Sequence, residues 1–155
     1  MQIVAELLKN FPLVSSVSAM VLGQAFKIVY YYFIDRKIDI KHFFEAGGMP
    51  SAHSAMVSAL VFSVGMRSGW SSPALAIAFA FACIVIYDAV GVRRATGKQS
   101  MLIKRILDDM NKTDRISGEN LHEFMGHTPL EVTVGIVFGI FVAVCLYLGV
   151  YRFVY

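Results

Sequence analysis

The chain has 155 residues, 57% of them apolar and 16% charged, with a net charge of +3 and a mean hydropathy of +0.62. Soluble domains average about 45–50% apolar and about 25% charged, and one domain of this length keeps too much surface to hide the excess. A soluble globule, a disordered chain and a disulfide scaffold are thereby excluded, leaving a small all-α integral membrane bundle.

The first ten residues lack the basic start and small-residue cleavage site of a signal peptide, so the first apolar run is expected to stay in the mature chain. That run, 11–34, is the first of four expected transmembrane helices in a single domain and carries Gln24 and Lys27 three residues apart. Lys27 either snorkels to the membrane edge or points into a phosphate pocket. A loop, 35–50, leads to Gly47-Gly48-Met49-Pro50-Ser51-Ala52-His53-Ser54 and a second, short span over 51–68. Pro50 suits the first turn of that helix, Ser51 and Ser54 offer hydroxyls, and the exposed N–H groups of a helix start attract anions. His53 then either donates a proton to a bound group or is satisfied by a neighbour within a capped helix start.

The third span, 73–90, is apolar until Asp88, which precedes Gly91-Val92-Arg93-Arg94. Paired arginines at a membrane edge serve either as positive anchors or as forks for phosphate oxygens, with Asp88 aiming one of them. Within the long loop 91–129, residues 99–110 place Met101, Leu102, Ile106 and Leu107 near one face, the pattern of an interfacial amphipathic helix or of one packed beneath the spans. The loop ends in Glu123-Phe124-Met125-Gly126-His127-Thr128-Pro129-Leu130-Glu131. Glu131 stands four residues after His127, where its carboxylate can accept from one imidazole nitrogen and leave the other basic. The same residues also form a capping box from Thr128 to Glu131, and the two arrangements are compatible. The fourth span, 130–151, contains Gly135-x-x-x-Gly139, which suits close packing within the chain or a homodimer equally. Cys83 and Cys145 lie within apolar runs as small core or lipid-facing residues.

Ten of the fourteen basic residues fall in the two loops 35–50 and 91–129, and only Lys9, Arg67 and Arg152 on the other side. This bias places both loops in the cytoplasm and both termini outside a cell (inner) membrane. All the polar constellations then gather on one face. Nucleic-acid binding is not expected, because topology accounts for the basic residues.

Gly47-Gly48-Met49-Pro50-Ser51-x-His53-Ser54, Tyr87-Asp88-Ala89-x-Gly91-Val92-Arg93-Arg94 and Gly126-His127-Thr128-Pro129-x-Glu131 resemble the signature blocks of a membrane family. That family is the divergent phosphatidic-acid-phosphatase-like one, related to acid phosphatases and vanadium-dependent haloperoxidases. Pro50-Ser51-Ala52-His53 is similar to the superfamily's Pro-Ser-Gly-His, and His127-x-x-x-Glu131 to its His-x-x-x-Asp. Leu121 stands where the superfamily has an arginine. The resemblance implies a lipid-phosphate phosphatase with His127 as nucleophile forming phosphohistidine, Glu131 orienting it and His53 as general acid. Lys27, Gly48, Ser51, Arg93 and Arg94 are the expected phosphate ligands, supported by Gln24, Asp88 and Glu123. No resident metal is expected in that version. A second version has the acidic and histidine residues hold a divalent cation such as magnesium or manganese, and a third is a non-catalytic lipid-phosphate binding or transport protein. The expected partners are the bilayer and a lipid-phosphate substrate.

Overall fold

The computed structural model describes residues 2–36, 43, 47–91, 97, 99–103, 106–107 and 127–153. Their extended elements are all helical: α1 (Gln2–Lys9), α2 (Phe11–Asp35), α3 (Ala52–Ser68), α4 (Pro73–Val90) and α5 (Pro129–Gly149), then a 3-10 turn at Tyr151–Phe153. No strand occurs among the described residues. The long helices begin where a short polar residue can cap the free N–H groups. The side chains of Asn10, Ser51, Ser72 and Thr128 accept from the amides of Leu13, Ser54, Leu75 and Glu131 respectively. Pro12, Pro73 and Pro129 occupy the first turns of α2, α4 and α5, where the missing N–H is harmless. Pro50 does not follow that rule. It precedes the Ser51 cap, outside the helix, because Ser51 already supplies the capping oxygen.

Three helices are long and apolar enough to cross a bilayer: Phe11–Ile34, Pro73–Val90 and Pro129–Gly149. The expected fourth, α3, has 17 residues, a rise of about 26 Å, and includes Ser54, Ser58 and Ser63. It is the inner helix of the bundle. Nine of its residues are buried, and α2, α4 and α5 all pack on it. Its small side chains make it thin enough for three neighbours, and it needs little lipid-facing apolar surface.

The helix directions follow from the contacts. Ser51 N donates to Glu131 O at 3.1 Å, and further along both helices Ser58 Oγ donates to Ile136 O at 3.1 Å. α3 and α5 therefore run side by side in the same direction. Their backbones approach across Gly135 and Gly139: a Cβ on Gly135 would lie 2.5 Å from Ser51 O, and one on Gly139 would strike Ala55 O and Ser58 Oγ. The glycine pair is thus occupied by α3 within the chain. α2 runs the opposite way, with Gly23 against Ala52 and Tyr31 against Gly48 at one end. At the other, Phe11 meets Tyr147 and Tyr151 with ring centroids 5.7 and 4.7 Å apart. Ala19, Ala55, Ala59, Val142 and Ala143 fill the middle.

Trp70 folds back on Phe62 and Gly65 in the turn between α3 and α4. α4 buries only Ala78, Ala82 and Ala89, leaving Ile77, Phe79, Ile84 and Tyr87 exposed, as a lipid-facing helix does. α1, whose apolar Ile3, Val4, Leu7 and Leu8 are also exposed, is an element that the reading from sequence left out. Of the expected amphipathic segment, residues 99–103 and 106–107 are helical, with Leu102, Ile103 and Ile106 exposed. Cys83 and Cys145 are free and exposed.

Because Gly139 meets backbone rather than a flexible side chain, Gly139→Leu is expected to remove most folded protein or lower Tm by several degrees, an overpacking cost of about 1–3 kcal/mol or more. Gly149→Leu, with open space around it, should leave Tm within a degree or two. Thermal unfolding in detergent distinguishes them.

Candidate active site

Charged and polar side chains are expensive within a membrane domain, so those buried most deeply mark where they are used. Lys27 is 1% exposed, His127 2%, and Ser51 and Ser54 are fully buried. All four lie toward the same end of the bundle, because α3 and α5 both begin there and α2 ends there.

His127 immediately precedes the Thr128 cap of α5. Glu131 Oε2 accepts from Thr128 N at 3.2 Å and bonds His127 Nδ1 at 2.9 Å. The capping box and the histidine–carboxylate pair are therefore one structure, hinged on a single oxygen. An ionised carboxylate can only accept, which puts a proton on Nδ1; in the neutral imidazole Nε2 then carries the lone pair. Nε2 is buried and has no hydrogen-bond partner among the described residues. Such a group costs roughly 1–3 kcal/mol when left unmade.

Ser51 lies beside this pair, its amide bonded to Glu131 O and its hydroxyl receiving that of Ser54 at 3.0 Å. The helix start is shaped by Gly48, at φ 87°, where a Cβ would come 2.7 Å from the Tyr31 hydroxyl. Only glycine fits both the backbone angle and the tyrosine. On α2, Lys27 follows Gly23, the residue against Ala52, by one turn. Gln24 also follows it, half-buried, with its Oε1 buried and without a hydrogen bond among the described residues.

The structure thus joins His127, Glu131, Ser51 and Ser54 by direct bonds and brings Lys27, Gln24 and Gly48 to the same end. His53, half-buried, lies between Ala52, turned to α2, and Ser54, turned to α5. Asp88 is half-buried near the end of α4, and the α3–α4 hairpin returns it to the level of the α3 start. Arg93, Arg94 and Glu123 lie outside the described residues. Among the described residues no three His, Cys, Asp or Glu side chains gather to hold a metal ion.

Two contributors went unnoticed in the sequence. Tyr31 carried no local signal, since its role depends on a loop folding back on it. Gly23 did carry one: Ala19 and Gly23 are a small-x-x-x-small pair, as telling as the glycines of α5.

Removing the shared carboxylate should loosen both functions at once. Glu131→Ala is expected to destabilise the protein by about 1–2 kcal/mol through the lost cap, while Glu131→Gln, which keeps an acceptor, should lose less. In histidine 15N NMR, His127 should be the Nδ1-protonated tautomer in the wild type and a mixture in Glu131→Ala.

A 36% identical relative over 152 residues, covering 91% of this chain and 96% of its own length, is a Bacillus subtilis (strain 168) protein described as uncharacterized membrane protein YuiD. No solved structure matches the chain. The model of the Divergent PAP2 family matches residues 8–142, which include Lys27, Ser51, His53, His127 and Glu131, and the chain belongs to that family of membrane proteins.

Proposed function

We propose that the protein is a lipid-phosphate phosphatase that works at the cytoplasmic face of the cell membrane by a histidine mechanism. The observation that carries this reading is the buried His127, bonded through Nδ1 to Glu131 and presenting an unpartnered Nε2. A nucleophile needs that arrangement: one nitrogen held, the other bare, and a carboxylate to stabilise the charge that develops on the ring.

In this mechanism the Nε2 lone pair attacks phosphorus in line with the leaving group. The P–N bond forms as the P–O bond to the lipid breaks, and the departing alkoxide takes a proton from His53. Water then attacks the phosphohistidine while His53 removes its proton. The P–N bond breaks with its electrons returning to Nε2, and inorganic phosphate leaves. Lys27, Ser51 and the backbone near Gly48 hold the phosphoryl oxygens, assisted by Arg93 and Arg94, while Asp88, Glu123 and Gln24 support the ligands. The substrate is a phosphomonoester or pyrophosphate of a glycerolipid or polyprenyl lipid. That class is supported by the depth of the site, at the helix ends where headgroups lie, and the cytoplasmic orientation by the loop bias in basic residues.

Purified protein in detergent should release inorganic phosphate from such a lipid. His127→Ala should abolish release, and His53→Ala should slow it by about 10²–10⁴-fold, the usual contribution of a general acid. An acid-labile phosphoryl label should be trapped on His127. Unchanged turnover in His127→Ala would overturn the mechanism, and tight binding of a lipid phosphate without any release would favour a binding or transport protein. Loss of activity on chelation, restored by magnesium or manganese, would favour a metal-assisted phosphatase.

A further inference from the structure

At the end of the bundle remote from His127, a cavity of about 240 Å³ is lined by Phe11, Met66, Arg67, Tyr147, Tyr151 and Arg152. We infer that it is a second lipid site, which holds the phosphodiester headgroup of an anionic phospholipid between Arg67 and Arg152. It is separate from the proposed catalytic site and does not depend on that reading.

The charge pattern is the first argument. By the loop bias this is the side of the membrane from which basic residues are depleted, yet two of its three, Arg67 and Arg152, line one cavity. They come from distant parts of the chain, the last turn of α3 and the turn after α5, so the fold brings them together. Both are exposed, and Arg152 makes no hydrogen bond or ion pair with the described residues. Two guanidinium forks facing one space suit phosphate oxygens, which they bind bidentately. The Tyr147 hydroxyl, also without a hydrogen bond among the described residues, adds a donor at the same wall.

Depth is the second argument. The cavity floor is the Phe11–Tyr151 ring pair, and Tyr151 is pinned there by its hydroxyl, which donates to Leu8 O at 2.6 Å. That bond ties α1 to the end of α5. Ile3, Val4, Leu7 and Leu8 share one face of α1 and are all exposed, the pattern of a helix lying in the interface with its apolar side in the lipid. The cavity therefore opens at headgroup level. Its volume suits one headgroup and not a whole lipid, so the acyl chains lie outside along the exposed apolar helix faces.

Delipidated protein in detergent, titrated with phosphatidylglycerol, phosphatidylcholine or inorganic phosphate and read by native mass spectrometry, tests this. Phosphatidylglycerol is a diester and thus no substrate for a monoester phosphatase. One molecule should be retained about tenfold more tightly than phosphatidylcholine. Arg67→Gln/Arg152→Gln should abolish the preference, and His127→Ala should keep it, so that this site and the proposed catalytic one fail separately. Should the double glutamine variant not fold, Arg67→Lys/Arg152→Lys keeps the charge without the forks and should show a reduced preference. Equal retention of the two lipids, a preference unchanged in the arginine variants, or displacement by millimolar inorganic phosphate would each overturn the lipid assignment.

Discussion

The contact between α3 and α5 across Gly135 and Gly139 governs the arrangement of this protein. Two helices can approach so closely only where one lacks side chains, and the serines and alanines of α3 supply the complementary narrow surface. The approach lets Ser51 N reach Glu131 O and Ser58 Oγ reach Ile136 O. Those bonds set the register, and the register brings the starts of two parallel helices to one level. Everything at the candidate active site hangs on that alignment. His127 and Glu131 come from one helix start, Ser51 and Ser54 from the other, and α2 adds Lys27 from the facing side.

Burial then turns an ordinary local motif into a chemical one. A capping box on the surface would only stabilise a helix end. Here the same carboxylate also holds His127, whose far nitrogen is buried. Helix stability and imidazole orientation are thus coupled through one oxygen, so the geometry of a reactive group is maintained by a folding interaction. Gly48 and Tyr31 serve the same end, pressing the loop that delivers Ser51 against α2.

The two ends of the bundle differ in a way the apolar middle does not. One carries buried polar groups enclosed by helices. The other carries exposed arginines above an aromatic floor, with α1 lying beside it. The middle, built on alanines and glycines, separates them and gives the bundle a tight waist, while α4 turns its large apolar residues outward. A chain this short can hold both ends because the residues that the inner helix buries are mostly alanine, serine and glycine.

Much of this was present in the sequence. Composition alone determined a helical membrane protein, because the apolar fraction exceeds what a small globule can bury. The helix starts were legible at Ser51 and Thr128, since capping is a local interaction between neighbours in the chain. The pairing of His127 with Glu131 was legible for the same reason, four residues being one helical turn. Burial and relative direction were not. Nothing local shows that α2, α4 and α5 all pack on α3, that Gly135 and Gly139 meet Ser51 and Ala55, or that Arg67 and Arg152 line one cavity. Local spacing fixes contacts along one helix, whereas contacts between helices depend on which surfaces can approach most closely, and only the packed bundle decides that.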